Sequence, residues 1–208
     1  NVYTLDAPLH HETTAQVWSQ EFRLAGQRNR LTWLTGVFYS SIDRDYGQSL
    51  LVAGFESLTG IPTAGRFGAA RDVLFFSDLS YDMDQFALFG EATWAATDRL
   101  DLVGGLRYYD FKEDRTQTFD GSFADPGTTE GSTTASGFAP RLIASLDVME
   151  GTKLNAQVSK GFRLGGINDP LNRPLCTPQD LVTFGGRDEW EDEEIWNYEV
   201  GTKSTLRG

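Results

Sequence analysis

Adjacent His10 and His11, followed by Glu12, carry the only two imidazoles of this 208-residue chain. Side-by-side histidines lack the spacing that sets two imidazoles on one helix face toward zinc, so no metal is assigned to them. The acidic run Asp188-Glu189-Trp190-Glu191-Asp192-Glu193-Glu194 could offer carboxylates to a hard cation such as calcium. It lacks the spaced Asp/Asn ligands and turn glycine of a calcium loop, and reads as a solvated loop. The single Cys176, in NRPLCTPQDL, cannot form an internal disulfide and is either a loop thiol or one paired outside this chain. No phosphate-binding GxxxxGKS/T, GxSxG elbow or HExxH occurs, and a Ser-His-Asp arrangement would depend on the two histidines near the start. Carboxylate pairs are cheap in an acidic chain, and a sequence cannot show the defined separation a glycosidase needs. No catalytic activity and no cofactor are expected.

The elements that would position any site come next. Residues 85–111, QFALFGEATWAATDRLDLVGGLRYYDF, form two alternating segments joined by a tight Thr97-Asp98-Arg99 turn. Leu88, Gly90, Ala92 and Trp94 share one face of the first segment while Phe89, Glu91 and Thr93 share the other. Leu100, Leu102, Gly104, Leu106 and Tyr108 oppose Asp101, Val103, Gly105, Arg107 and Tyr109 on the second. Side chains alternate across a strand, so this is a hairpin with one mostly apolar and one charged face. Strands of about nine to eleven residues with aromatics near the ends of the apolar face suit a tilted crossing of an outer-membrane hydrocarbon layer.

Composition agrees with an all-β chain: 39% hydrophobic, 12% aromatic, 22 glycines. A net charge of −12 and a pI near 4.5 argue against a nucleic-acid partner, which Lys and Arg must hold by its phosphates. No apolar run reaches the length of a membrane helix, which leaves a β-span open. The opening residues show no basic-then-apolar leader, so a leader is expected to have been removed or the start to lie elsewhere.

Further strands are predicted over residues 14–25, 30–43, 136–149, 152–163 and 194–206, making seven with the hairpin. Pro140 is tolerable because it lies near its strand's beginning. Links after Ala25, Ala96 and Val148 are short, whereas 44–84, 112–135 and 164–193 read as long polar loops. Short turns on one rim and long loops on the other describe a transmembrane barrel with its turns periplasmic. Strand direction then puts Trp33 and Trp94 at the periplasmic rim and Trp18, Tyr39, Tyr108, Phe138 and Trp196 at the outer rim. Glu21, Arg23, Glu91, Arg107, Arg141, Glu199 and Lys203 fall on the opposite, lumen-facing phase, where they can pair with one another. An Arg or Lys on the lipid side near the midplane would cost about 2–4 kcal/mol. Lys160 falls on the lipid phase and is expected to snorkel toward the headgroups. The same alternation also builds soluble β-sandwiches, jelly rolls and lipocalin-like barrels, although sandwich strands are usually shorter.

Three stretches carry a resemblance: FALFGEATWAATDRLDLVGGLRYYDFKED (86–114), FAPRLIASLDVMEGTKLNAQVSKGFRLGGIN (138–168) and EEIWNYEVGTKSTLRG (193–208), with VWSQEFRLAG (17–26) weaker. Together they resemble the β-barrel of TonB-dependent outer-membrane receptors, in that family's order and over about half the chain. The resemblance implies an antiparallel transmembrane β-barrel of about 22 strands with a plugged lumen. Some seven strands cannot close such a barrel, so residues 1–208 are expected to be an internal part of the barrel domain, without the plug. It further implies import of ferric siderophores or a similar scarce nutrient across the outer membrane of a Gram-negative bacterium. The expected partners are the TonB complex, a ferric siderophore or other small nutrient, and outer-membrane lipid and lipopolysaccharide. By analogy with anionic, catechol-bearing chelates, Arg66, Arg71, Phe75, Phe76, Arg173 and Arg187 are candidate substrate contacts on extracellular loops. A passive porin or sugar channel, and a soluble β-sandwich carbohydrate-binding module, remain as other readings.

Overall fold

The computed structural model describes residues 5–168, 171, 173–187 and 189–205. The chain runs β1 (Leu9–Arg28), β2 (Leu31–Leu51), α1 (Phe55–Thr59), β3 (Val73–Ala95), β4 (Leu100–Asp120), β5 (Gly127–Met149) and β6 (Thr152–Arg163). There follow β7 (Gly166–Ile167), a 3-10 turn (Arg173–Leu175), α2 (Pro178–Phe184), β8 (Glu189–Trp190) and β9 (Glu193–Ser204). β1 to β6 and β9 form one antiparallel sheet in sequence order, and β7 pairs with β8 in a separate ribbon. The seven predicted strands are those of the large sheet. No described helix is long and apolar enough to cross a membrane, which says nothing about strands.

The register turns alternation into rows. Leu24, Thr35, Gly90, Leu106 and Pro140 lie side by side, as do Phe22, Val37, Leu88, Tyr108 and Phe138. A third row sets Gly26, Trp33, Ala92, Gly104, Leu142, Val158 and Tyr198 across all seven strands. Apolar side chains on this face stay exposed: Phe22 67%, Leu106 51%, Leu142 60% and Tyr198 76%. From Leu31 to Ser41 on β2 is about 33 Å of strand, which a tilt of about 40° reduces to about 25 Å, the height of an outer-membrane apolar band. The seven sequence-assigned girdle aromatics share this face, with Trp18 and Tyr39 rings 5.6 Å apart and Tyr108 and Phe138 rings 5.3 Å apart. The Tyr39 hydroxyl donates to Asp84 at 2.6 Å, where the face turns polar.

Strand length differs from expectation. Five of the strands in the sheet are 20 to 23 residues long, more than the apolar band requires, so residues 44–51, 73–84, 112–120 and 127–135 continue as strand. Phe75 and Phe76 therefore sit on β3 rather than in a loop, and the β4–β5 link shrinks to residues 121–126. Beyond the band the outer phase carries Asp43, Asp45, Asp78 and Asp82 while the opposite phase packs Leu79, Phe119 and Ala124 against Tyr46, Phe75 and Tyr81. Polar residues on one phase and mixed ones on the other erase the apolar signal without ending the ladder.

Candidate functional site

The charged phase carries every residue assigned to it from the sequence. Arg23, Gly36, Phe89, Arg107 and Ala139 form one row, and Leu34, Glu91, Gly105, Arg141 and Ser159 the next. Glu199 and Lys203 lie opposite Gln157 and Lys153 on the same face. Glu21 pairs with Arg23, and Arg141 Nη1 stands 3.7 Å from Glu91 Oε2. Glu91 and Arg141 are on β3 and β5, so the pair must span β4. Gly105 lies between them, and a Cβ there would meet Glu91 Oε2 at 3.4 Å. The same arrangement recurs beside Gly36, whose added Cβ would come 2.6 Å from Phe89 Cζ and 2.5 Å from the Phe22 carbonyl oxygen. It recurs at Gly137, across which Tyr109 reaches; an added Cβ would approach its hydroxyl to 2.7 Å. Long side chains lie over missing ones, and each reaches the strand beyond. Phe89 stands under the Arg23 guanidinium at 5.9 Å, and Arg107 over Phe38 at 5.7 Å.

Tyr109 ends at Phe162, their rings 3.5 Å apart and 12° from parallel. The β5–β6 ladder stops at Arg141 and Ser159, next to Pro140, which has no N–H to donate. Above that point Phe162 meets Tyr109 across the opening. Lys160 does not snorkel: its side chain is 17% exposed and pairs with Glu194. The strand phase from which snorkelling was expected assumed that β6 keeps its partner to its end.

The link between β2 and β3 is a folded cap. Glu56 accepts from the Thr63 amide and hydroxyl, each at 2.8 Å, and Asp72 accepts from the Glu56 amide at 2.8 Å and the Gly54 amide at 3.0 Å. These donors hold both carboxyls below their ordinary range, the Thr63 amide chiefly for Glu56 and the Glu56 amide chiefly for Asp72. The cap is tied down by Asp120 at the end of β4, 1% exposed, which accepts from Phe67 N at 2.7 Å and Ala69 N at 3.0 Å. Burial is the largest single influence on the Asp120 carboxyl and raises its pKa, but the amides of Ala69, Gly121, Phe67 and Gly68 together outweigh it and lower it.

The six sequence-derived contact candidates divide. Arg71 is engaged by Glu56 at 3.3 Å and by the Ser57 hydroxyl at 2.9 Å, Arg66 lies in the cap, Phe75 packs 6.2 Å from Phe119, and Phe76 lies beneath Gly68. Arg173 and Arg187 alone come together, lining a cleft of about 680 Å³ with Asp125, Thr129 and Phe184. α2 shapes its wall; Thr177 and Asp180 form a reciprocal N-terminal cap, and that Thr177 hydroxyl and amide lower the Asp180 pKa. Asn168 donates to the Arg187 carbonyl at 2.7 Å, and Arg115 Nη1 donates to the Ile167 carbonyl at 2.6 Å, holding this connection against the charged face.

His10 and His11 are successive residues of β1 and so point to opposite faces, which forbids joint chelation. No cluster of metal-ligating side chains occurs among the described residues. Glu189–Trp190 pairs with Gly166–Ile167, while Asp188 lies outside the described residues. Cys176 is unpaired there. Sequence reasoning missed Asp120 and the row of Arg44, Tyr81 and Arg115, all in segments whose apolar alternation had faded, and it placed Tyr109 on the charged phase without its reach to Phe162; the Arg-x-Tyr of residues 44–46 was the available signal.

Comparison with known proteins fits this geometry. The crystal structure of the ferric yersiniabactin uptake receptor FyuA from Yersinia pestis superposes with a TM-score of 0.72 at 17% identity, over 95% of this chain. The match covers 27% of that receptor, so the chain spans about a quarter of its length, and the likeness is one of fold. No curated protein matches the chain in sequence. The family model described as TonB dependent receptor-like, beta-barrel matches residues 2–208, and the chain belongs to that family.

Proposed function

We propose that residues 1–208 are wall and outer connections of an outer-membrane receptor that takes up a ferric siderophore or similarly scarce nutrient, energised through the TonB complex, with the plug encoded elsewhere in the parent protein. The observation that carries the reading is the two-faced sheet, in which an apolar face, about 25 Å tall on β2, runs in register across seven strands and ion pairs line the other side. Lipid and the outer-leaflet lipopolysaccharide would cover the first face and the plug the second. Membership of the receptor family and the FyuA-like fold support an importer, and FyuA itself takes up a ferric chelate. The chemistry asked of this chain is binding and enclosure, without bond making. Uptake of iron-labelled chelates by cells with and without the parent gene tests it, with and without a proton-motive-force uncoupler. Uptake that needs the gene and stops on uncoupling is expected. Gene-dependent uptake that survives uncoupling would mean a passive channel.

A further inference from the structure

On the charged face, about 16 Å along β2 beyond Tyr39, one row holds Arg44, Tyr81 and Arg115 side by side. The Tyr81 ring lies between two guanidiniums, 5.4 Å from that of Arg44 and 4.8 Å from that of Arg115. Tyr46, two residues on and in the same phase, supplies a second aromatic contact to Arg44 at 5.6 Å.

The two arginines are used differently. Arg115 is 8% exposed and is bonded to the Ile167 carbonyl. Arg44 is exposed, and among the described residues neither a hydrogen bond nor a salt bridge engages its guanidinium. Its neighbours Asp43 and Asp45 are on the opposite phase and cannot neutralise it. The carboxylate on its own face is Glu113, one row nearer the girdle, whose field is divided between Arg115 and Arg44. A guanidinium placed over two tyrosine rings is steered by both, and among the described residues no hydrogen bond occupies its N–H donors. A planar fork presented edge-on pairs with a planar oxyanion.

We propose that Arg44 is a ligand-binding residue of the outer vestibule, taking a carboxylate or catecholate edge of the imported chelate between Tyr46 and Tyr81; this rests on the import reading above. Tyr81 and Tyr46 fix the fork before the ligand arrives, which lowers the ordering cost of binding. The position suits selection of anionic over neutral chelates.

The test uses the intact receptor, purified in detergent, and three probes: iron(III) citrate, an anionic iron(III) tris-catecholate and a neutral iron(III) trihydroxamate. Wild type is expected to bind at least one anionic probe. Arg44→Gln should weaken that binding about ten- to a hundredfold, as the loss of a charge-assisted pair implies, and leave the melting temperature unchanged. Arg44→Lys, which keeps the charge and loses the fork, should recover only part. An Arg44→Gln affinity equal to wild type for a bound anionic probe overturns the assignment while the import reading stands. So does binding of the neutral probe alone. Equal affinity of Arg44→Lys and wild type overturns recognition by the planar fork. Binding of none of the three by wild type overturns import of ferric chelates, and this inference with it.

Discussion

At the residue scale, Asp120 shows how one buried carboxylate organises a long connection. It accepts amides from residues 67, 69 and 121, tying the cap that follows β2 to the end of β4. Asp120→Ala leaves those amides without their acceptor, and about 3 kcal/mol of local stability is expected to go with them. Hydrogen exchange of residues 61–72 should then rise steeply while the ladder below stays protected. The sign of the pH dependence follows from the lowered pKa. The stabilisation is present above the unfolded value, about 3.9, and is lost as pH falls through the lower folded value. Protease sensitivity confined to the cap should therefore appear on acidification, before the barrel itself responds. None of this was legible in the sequence, because Asp120 lies next to Gly121 in what reads as an ordinary turn and the donors at Phe67 and Ala69 come from some fifty positions away. The partner of Arg71 was hidden for the same reason: an arginine in a polar loop suggests a free cation, and its Glu56 partner belongs to a fold the loop had not been credited with.

At the element scale, the strands were found where apolar residues alternate, and their inner ends were read to within a few residues. The turns at Asn29, Asp98 and Gly151 sit where the sequence put them, Asn29 with a left-handed φ of 53° and Gly151 with one of 76°. Outer ends were not readable, since a strand leaving lipid no longer needs an apolar face; Asp43, Asp45, Asp78 and Asp82 are as compatible with ladder bonds as leucines are. Loss of a partner was equally silent, and Lys160 was misplaced as a result. The glycines provide the test at this scale. Gly36→Ala would drive a methyl against the Phe22 carbonyl and the Phe89 ring, at a cost of about 1–3 kcal/mol. Gly127→Ala meets nothing within 4 Å and should be nearly neutral. Comparing the unfolding temperatures of the two variants in the intact receptor checks this, and equal values would show that the crossing side chains do not depend on the gap beneath them.

At the scale of the whole molecule, the sheet has two open edges among the described residues, β1 and β9. Each presents backbone donors and acceptors that lipid cannot satisfy, and next to water an open edge recruits other strands. The chain expressed by itself is expected to associate heterogeneously in detergent. Light scattering during size exclusion checks this, and a monodisperse, cooperatively melting monomer would contradict it. The glycines that lie beneath crossing side chains bear on assembly as well. Alternation penalises a slip of one residue, because it would swap the two faces, yet it is blind to a slip of two. A two-residue slip of β3 against β2 would leave every side chain on its proper side while setting Phe89 against Leu34 or Phe38 instead of the notch at Gly36. The notches thus act as a second proofreading code, distinguishing the native pairing from the misalignments that hydrophobicity alone would accept.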